Sequence, residues 1–114
     1  MAGRPYVPDA GDVVWLEFDP QAGHEQAGRR PALVVSPALY NRKSGLMVCC
    51  PLSTKVKGYP FEVPTQVDGQ EGVVLSDQVK SLDWKVRKAK KGGSVPESVL
   101  LQVRARIKAL LGIK

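Results

Sequence analysis

The sequence predicts a mainly β fold, a small barrel or half-barrel of five to seven short strands closed by one C-terminal helix. Three observations predict it. Short apolar or alternating segments recur along the first three quarters of the chain, each bounded by proline, glycine or charge. The period then changes from strand to helix near residue 94. The length, 114 residues, suits one modest core, so a single domain spanning 1–114 is expected.

The elements follow in order. DVVWLEFD (12–19) alternates Val14, Leu16 and Phe18 with Val13, Trp15 and Glu17, as a strand covered in part on both faces, and Pro20 ends it. PALVVSP (31–37) is an apolar strand bracketed by prolines, and YNRKSG (40–45) reads as a turn. LMVCCPLS (46–53) is a third strand, KVKGYP (55–60) a basic loop, FEV (61–63) a short strand and QVDGQEG (66–72) a turn. VVLSDQVKSLDW (73–84) opens as a strand, and VRKAKKGG (86–93) suits an edge strand, where lysines discourage stray pairing. SVPE (94–97) fits a capping box with Ser94 as N-cap and Glu97 at the third helical position. Val99, Val103, Ile107 and Leu110 then share one helical face, and Gly112 is a terminator.

Composition narrows the classes. Hydrophobic residues make up 43% and charged residues 25%, which excludes global disorder. No apolar run approaches the ~20 residues of a membrane span, and MAGRPYVPDAGD lacks a secretory apolar stretch, so a cytoplasmic protein is expected. Cys49 and Cys50 are strand neighbours pointing to opposite faces, poorly placed to bond to each other; one is expected in the core. With a single histidine, a metal site is not expected. The net charge of +6 is uneven: residues 1–79 sum to −2 and residues 80–114 to +8. Such asymmetry favours a polyanionic partner, nucleic acid or an acidic protein segment.

Several side chains can carry chemistry. In AGHEQAGRRPALVVSP (22–37), Glu25 is the titratable group and Arg29 and Arg30 stand at the mouth of the strand. A carboxylate there can take a proton from a hydroxyl, and a guanidinium can hold a phosphate bidentately; a surface ion pair is the plainer reading of the same residues. His24 is a weaker candidate for substrate contact. Ser53 and Thr54 end the third strand and lead into Lys55 and Lys57, so hydroxyls and cations adjoin. Strand-end turn chemistry accounts for the hydroxyls equally well. Tyr59, beside two lysines, is the better base-stacking candidate; Trp15, within a strand pattern, fits the core better, and Trp84 is a third aromatic able to stack. Asp77 and Gln78 can read base edges or occupy a turn.

Taken together, YVPDAGDVVWLEFDPQAGHEQAGRRPALVVSP, the following YN, CPLSTKVKGYPFEV and GVVLSDQVKSLDW resemble the MazF/PemK family, the toxin halves of bacterial toxin–antitoxin pairs. The resemblance runs from about Tyr6 to the C-terminal helix, in the family's order. It implies a small SH3-like (PemK/CcdB-type) β-barrel with a C-terminal helix, working as a homodimer. It implies a metal-independent endoribonuclease without a cofactor, cutting single-stranded RNA at short sequences and inhibited by an acidic, partly disordered antitoxin.

The catalytic glutamate, arginine and hydroxyl of the family fall on Glu25, Arg30 and Thr54. Family RNA contacts fall on the loop around His24 and on Asp77 and Gln78, and Ser53 lies beside the hydroxyl; Arg29, Lys55 and Lys57 by their charge and Tyr59 by its ring are further candidates for RNA contact. Some relatives carry histidine directly before the motif arginine; Arg29 occupies that position here, so no neutral acid stands there to protonate the leaving oxygen. Two other readings share parts of the pattern. A CcdB-like toxin would have the same architecture but bind DNA gyrase without cutting RNA. A non-catalytic nucleic-acid-binding barrel would use the basic C-terminal part alone.

Overall fold

A computed structural model of the chain describes residues 5–17 and 28–114. Its elements are β1 (Asp12–Glu17), β2 (Arg29–Val34), α1 (Ala38–Ser44), β3 (Leu46–Ser53), β4 (Glu62–Val67), β5 (Gln70–Leu75), β6 (Lys80–Asp83), β7 (Lys90–Ser94) and α2 (Glu97–Leu110). A single 3-10 turn, Ser76–Gln78, separates β5 from β6. The seven strands form one curled antiparallel sheet in the order β4-β5-β3-β2-β1-β7. Both β5 and β6 pair with β3, at Leu52–Ser53 and Leu46–Cys49 respectively. The result is the expected half-barrel with a C-terminal helix, for which SH3-like is a loose description.

Curling buries both faces of the central strands. One core gathers Leu33, Cys50, Leu52, Val63 and Val74 under Val99, Leu100 and Val103 of α2. The other gathers Val14, Leu16, Ala32, Val34, Met47 and Cys49 around Trp84. Strand alternation sends consecutive residues to opposite sides, so Leu33 and Val34 serve different cores, as do Cys49 and Cys50. Both cysteines are therefore core residues, where one was expected.

Burial raises both thiols from the ordinary 9.0 to about 12. Below pH 9 the folded and unfolded chains hold the same thiol protons, so this contribution to stability is fully present. Between pH 9 and 12 only the unfolded chain releases them, and stability is lost as pH rises through that window. Denaturation midpoints measured against pH are expected to decline across it, and to decline less in the Cys49→Ala/Cys50→Ala double variant.

Several boundaries differ from those expected. Residues 40–45 are not a turn but most of α1, with Gly45 in the left-handed region at φ 76° as its C-cap. Tertiary bonds decide this. The fully buried Asn41 donates Nδ2 to Pro8 O at 2.7 Å and to Ser36 O at 3.0 Å, and its Oδ1 accepts the Ser36 hydroxyl at 2.6 Å. The Trp84 indole donates to Asn41 O at 2.9 Å. These bonds fix the segment whatever its local turn preference.

The expected turn over 66–72 shrinks to Asp68–Gly69, both at positive φ (51° and 80°), a two-residue hairpin that lets β4 and β5 continue on either side. Pro64 is accommodated because β4 is an edge strand. The strand expected at 31–37 begins earlier, at Arg29, and ends at Val34, while the expected edge strand narrows to Lys90–Ser94.

The capping box does not form. Ser94 ends β7, Pro96 occupies the N-cap, and no side chain caps α2. The apolar face of α2 is Val99, Leu100 and Val103 with Ile107 at its margin, and Leu110 is exposed. Gly112 does terminate the helix, through Gly112 N–H to Ala109 O and Ile113 N–H to Lys108 O, a Schellman pair. No helix among the described residues is long and apolar enough to cross a membrane.

Candidate nucleic-acid interface and active site

The site forms where β1, β2, β3 and the β4–β5 hairpin meet at one end of the sheet. Pro31 follows Arg30 and biases it to extended geometry, and backbone pairing with Leu16 of β1 holds that geometry. Across the sheet, β3 pairs with β2 through Pro51 and with β5 through Leu52 and Ser53. Ser53 and Thr54 thereby arrive beside Arg30. An open cleft of about 530 Å³ is lined by Trp15, Arg30, Ser53, Thr54 and Lys55, with Asp68 at the hairpin tip. Among the described residues, neither the Arg30 guanidinium nor the Thr54 hydroxyl has a partner, and both are exposed. A free guanidinium, a free hydroxyl and a lysine in one cleft suit a phosphodiester.

A second cleft of about 210 Å³ adjoins the first through Ser53 and Lys55, which line both. It adds Lys57, Tyr59, Asp77 and Gln78. The Lys57 ammonium lies 5.9 Å from the Tyr59 ring centroid, and Tyr59 is 62% exposed, open for stacking. The two clefts form one groove, with Arg30 and Thr54 at one end and Tyr59, Asp77 and Gln78 at the other. Six of the expected contact residues line it with Arg30 and Thr54: Ser53, Lys55, Lys57, Tyr59, Asp77 and Gln78. Glu25 and His24 lie outside the described residues.

Arg29 is placed differently from Arg30. Its Nη2 donates to Trp15 O at 2.7 Å and to Lys88 O at 2.6 Å, and its Nη1 stands 4.0 Å from the Glu17 carboxylate. These contacts tie the end of β1 to the turn before β7, so its donors serve the protein backbone, and Arg29 lines neither cleft described above. Ser53 likewise has local work: its hydroxyl accepts the Lys55 N–H at 3.0 Å, the strand-end turn role.

Trp15 departs from the core placement expected for it. It is half-buried, forming a wall of the larger cleft against Gly92, while Trp84 is the core tryptophan. Two further residues escaped sequence reasoning. Glu62 lines the smaller cleft. Gly72 lies where a Cβ would stand 2.6 Å from Ser53 O and 2.7 Å from Val67 Cγ2. The glycine of GQEG was legible only as a turn signal; its actual role is the close approach of β5 to β3. Gly72→Ala is expected to destabilise the fold by about 1–3 kcal/mol and to weaken RNA cleavage by displacing Ser53 and Thr54. Thermal melting and a cleavage assay check the two effects.

Among the described residues no three His, Cys, Asp or Glu side chains cluster as metal ligands would.

Comparison with known proteins agrees with the geometry. The family model for the PemK-like, MazF-like toxin of type II toxin–antitoxin systems matches residues 9–111. The Escherichia coli K12 endoribonuclease toxin MazF is 50% identical over 107 residues, covering 94% of this chain and 96% of that protein. The crystal structure of MazF from Deinococcus radiodurans superimposes with a TM-score of 0.84 at 55% identity, covering 96% of this chain and all of that one. A MazE–MazF crystal structure from the same organism matches with a TM-score of 0.85 at 53% identity, with the same coverage. Matching the family model over residues 9–111 and half-identical to a curated member across nearly its whole length, this chain belongs to the PemK-like, MazF-like toxins of type II toxin–antitoxin systems.

Proposed function

We propose that this chain is an endoribonuclease toxin that cleaves single-stranded RNA and is neutralised by a cognate antitoxin. The observation that carries the reading is the convergence of Arg30 and Thr54, both unpartnered among the described residues, on one cleft continuous with a basic, aromatic loop. Its relatives support it: the E. coli protein is named an endoribonuclease toxin, and the D. radiodurans toxin has been crystallised with MazE.

The proposed reaction uses the ribose 2′-hydroxyl as nucleophile. Glu25 takes its proton as general base. The 2′-oxygen bonds to the adjacent phosphorus, and the bond from phosphorus to the 5′-oxygen breaks. Arg30 stabilises the charge growing on the phosphoryl oxygens, and Thr54 donates a hydrogen bond that positions them. Water protonates the departing 5′-oxygen, in keeping with Arg29 standing where some relatives carry histidine. The products are a 2′,3′-cyclic phosphate and a 5′-hydroxyl, and no metal ion takes part. A duplex holds the 2′-hydroxyl out of line and hides the bases, so the substrate is single-stranded. Lys55 and Lys57 position the backbone, and Tyr59, Asp77 and Gln78 contact bases.

The functional unit is a homodimer in this reading. Leu110, Leu111 and Ile113 are exposed at and beyond the end of α2, apolar side chains suited to cover by a second copy. The antitoxin approaches with an acidic segment, in keeping with the charge of +8 carried by residues 80–114.

Incubation with a long natural RNA in excess EDTA, followed by mapping of the cut ends, tests the reading. Discrete cuts with cyclic-phosphate and 5′-hydroxyl ends are expected. Loss of cutting in EDTA would overturn the metal-free reaction, and inhibition of gyrase without RNA cleavage would replace it with the gyrase-binding alternative.

A further inference from the structure

We infer that Glu62 is a positioning residue that locks the loop of residues 55–60 in the conformation that receives RNA. The inference rests on the ribonuclease reading and assigns a further residue to the same groove.

The loop between β3 and β4 needs an explanation for its order. Residues 54–60 are all exposed and lie outside the strand ladders, so neither burial nor sheet pairing holds them. Its C-terminal end is tied three times. Arg106 Nε of α2 donates to Pro60 O at 3.0 Å, Glu62 N–H to Tyr59 O at 3.1 Å, and Ser76 N–H to Phe61 O at 3.1 Å. Its middle is held by the Glu62 carboxylate. Oε1 accepts the Gly58 N–H at 2.9 Å and the Lys57 N–H at 3.2 Å, and Oε2 lies 3.3 Å from the same Lys57 nitrogen.

Two successive backbone amides converging on one carboxylate form an anion-binding concavity, here filled by the protein's own side chain. The left-handed Gly58, at φ 79°, provides the bend. No cation pairs with Glu62 among the described residues, and the residue is only 9% exposed. Such a group is costly to bury unless its hydrogen bonds are made, so releasing the loop would leave it unsatisfied. The loop and the carboxylate therefore hold each other.

The consequence falls on Lys57 and Tyr59, which flank Gly58 and carry the cation and ring that line the smaller cleft. A tethered loop presents them before RNA arrives, so ordering them is not charged against binding. Glu62 touches no reacting atom in this scheme; it acts through the loop.

The test uses the full chain with Glu62→Ala and Glu62→Gln. Steady-state cleavage of a short single-stranded RNA is measured beside amide hydrogen exchange at Lys57 and Gly58 and thermal melting. For Glu62→Ala, KM is expected to rise roughly tenfold with kcat within about twofold, and both amides to exchange faster. Glu62→Gln keeps one acceptor oxygen and is expected to recover most of the loss. Unchanged exchange at the two amides, in either variant that folds, overturns the inference. So does a fall in kcat that tracks melting temperature while KM stays fixed. If the unaltered protein cuts no RNA, the ribonuclease reading fails, whereas the exchange measurement still judges the tether.

Discussion

Replacing Arg30 with alanine is expected to lower kcat for RNA cleavage by roughly 10²–10³-fold, the scale for losing one preorganised electrostatic donor. The fold should survive, because the Arg30 side chain is exposed and no partner among the described residues depends on it. Arg30→Lys is expected to recover only part of the rate. Lysine restores the charge but not the planar fork that grips two phosphoryl oxygens at once. Single-turnover cleavage under saturating enzyme, beside thermal melting, separates this effect from unfolding or weakened binding. A fully active Arg30→Ala variant would remove Arg30 from the chemistry.

Glu25→Gln is expected to cost about 10²–10⁴-fold in kcat, the usual contribution of a positioned general base. Glutamine keeps the shape and the hydrogen-bonding oxygen but cannot accept the 2′-hydroxyl proton. RNA affinity should change little, because the phosphate and base contacts proposed here belong to other residues. A variant that binds RNA normally and scarcely cuts it is the expected result; one that cuts at full rate would assign the proton to another group. A clear separation between binding and rate in both variants would distinguish the enzyme from a non-catalytic nucleic-acid-binding barrel.

The strands were legible in the sequence because their signal is local. Val14 and Leu16, Ala32 and Val34, and Met47 and Cys49 alternate with neighbours that face the other way, and all six meet in one core. The end of α2 was legible for the same reason, since Gly112 adopts the left-handed conformation that glycine tolerates best. Where the local signal was mixed, tertiary contacts overrode it. YNRKSG carries turn residues, yet Asn41 is held by nearby Ser36 and by Pro8 and Trp84 from two distant segments, and the chain coils into α1 around it. SVPE carries a capping pattern, yet Ser94 is claimed by β7, which pairs it with Asp12 of β1. A short polar motif offers about 1 kcal/mol, which strand pairing in a curled sheet can exceed.

For the site, the sequence by itself determined which chemistry was present: a carboxylate, arginines, hydroxyls, a basic loop with a tyrosine, and an order of motifs that matched one family. It also determined that Cys49 and Cys50 point to opposite faces of β3, though not that both faces are buried. Only the tertiary structure decided which of the paired arginines is without a partner among the described residues. Arg29 and Arg30 are neighbours of identical chemistry, but one spends its donors on Trp15 O and Lys88 O while the other opens into the cleft beside Thr54. It alone decided, too, that Glu62 faces the loop amides and that Gly72 makes room for Ser53. Periodicity and turn chemistry arise from sterics within a few residues and can be read directly. Contacts between β1, β3, β5 and the 85–88 turn depend on which strands pair, and that is set by burying two cores at once, a property of the whole chain.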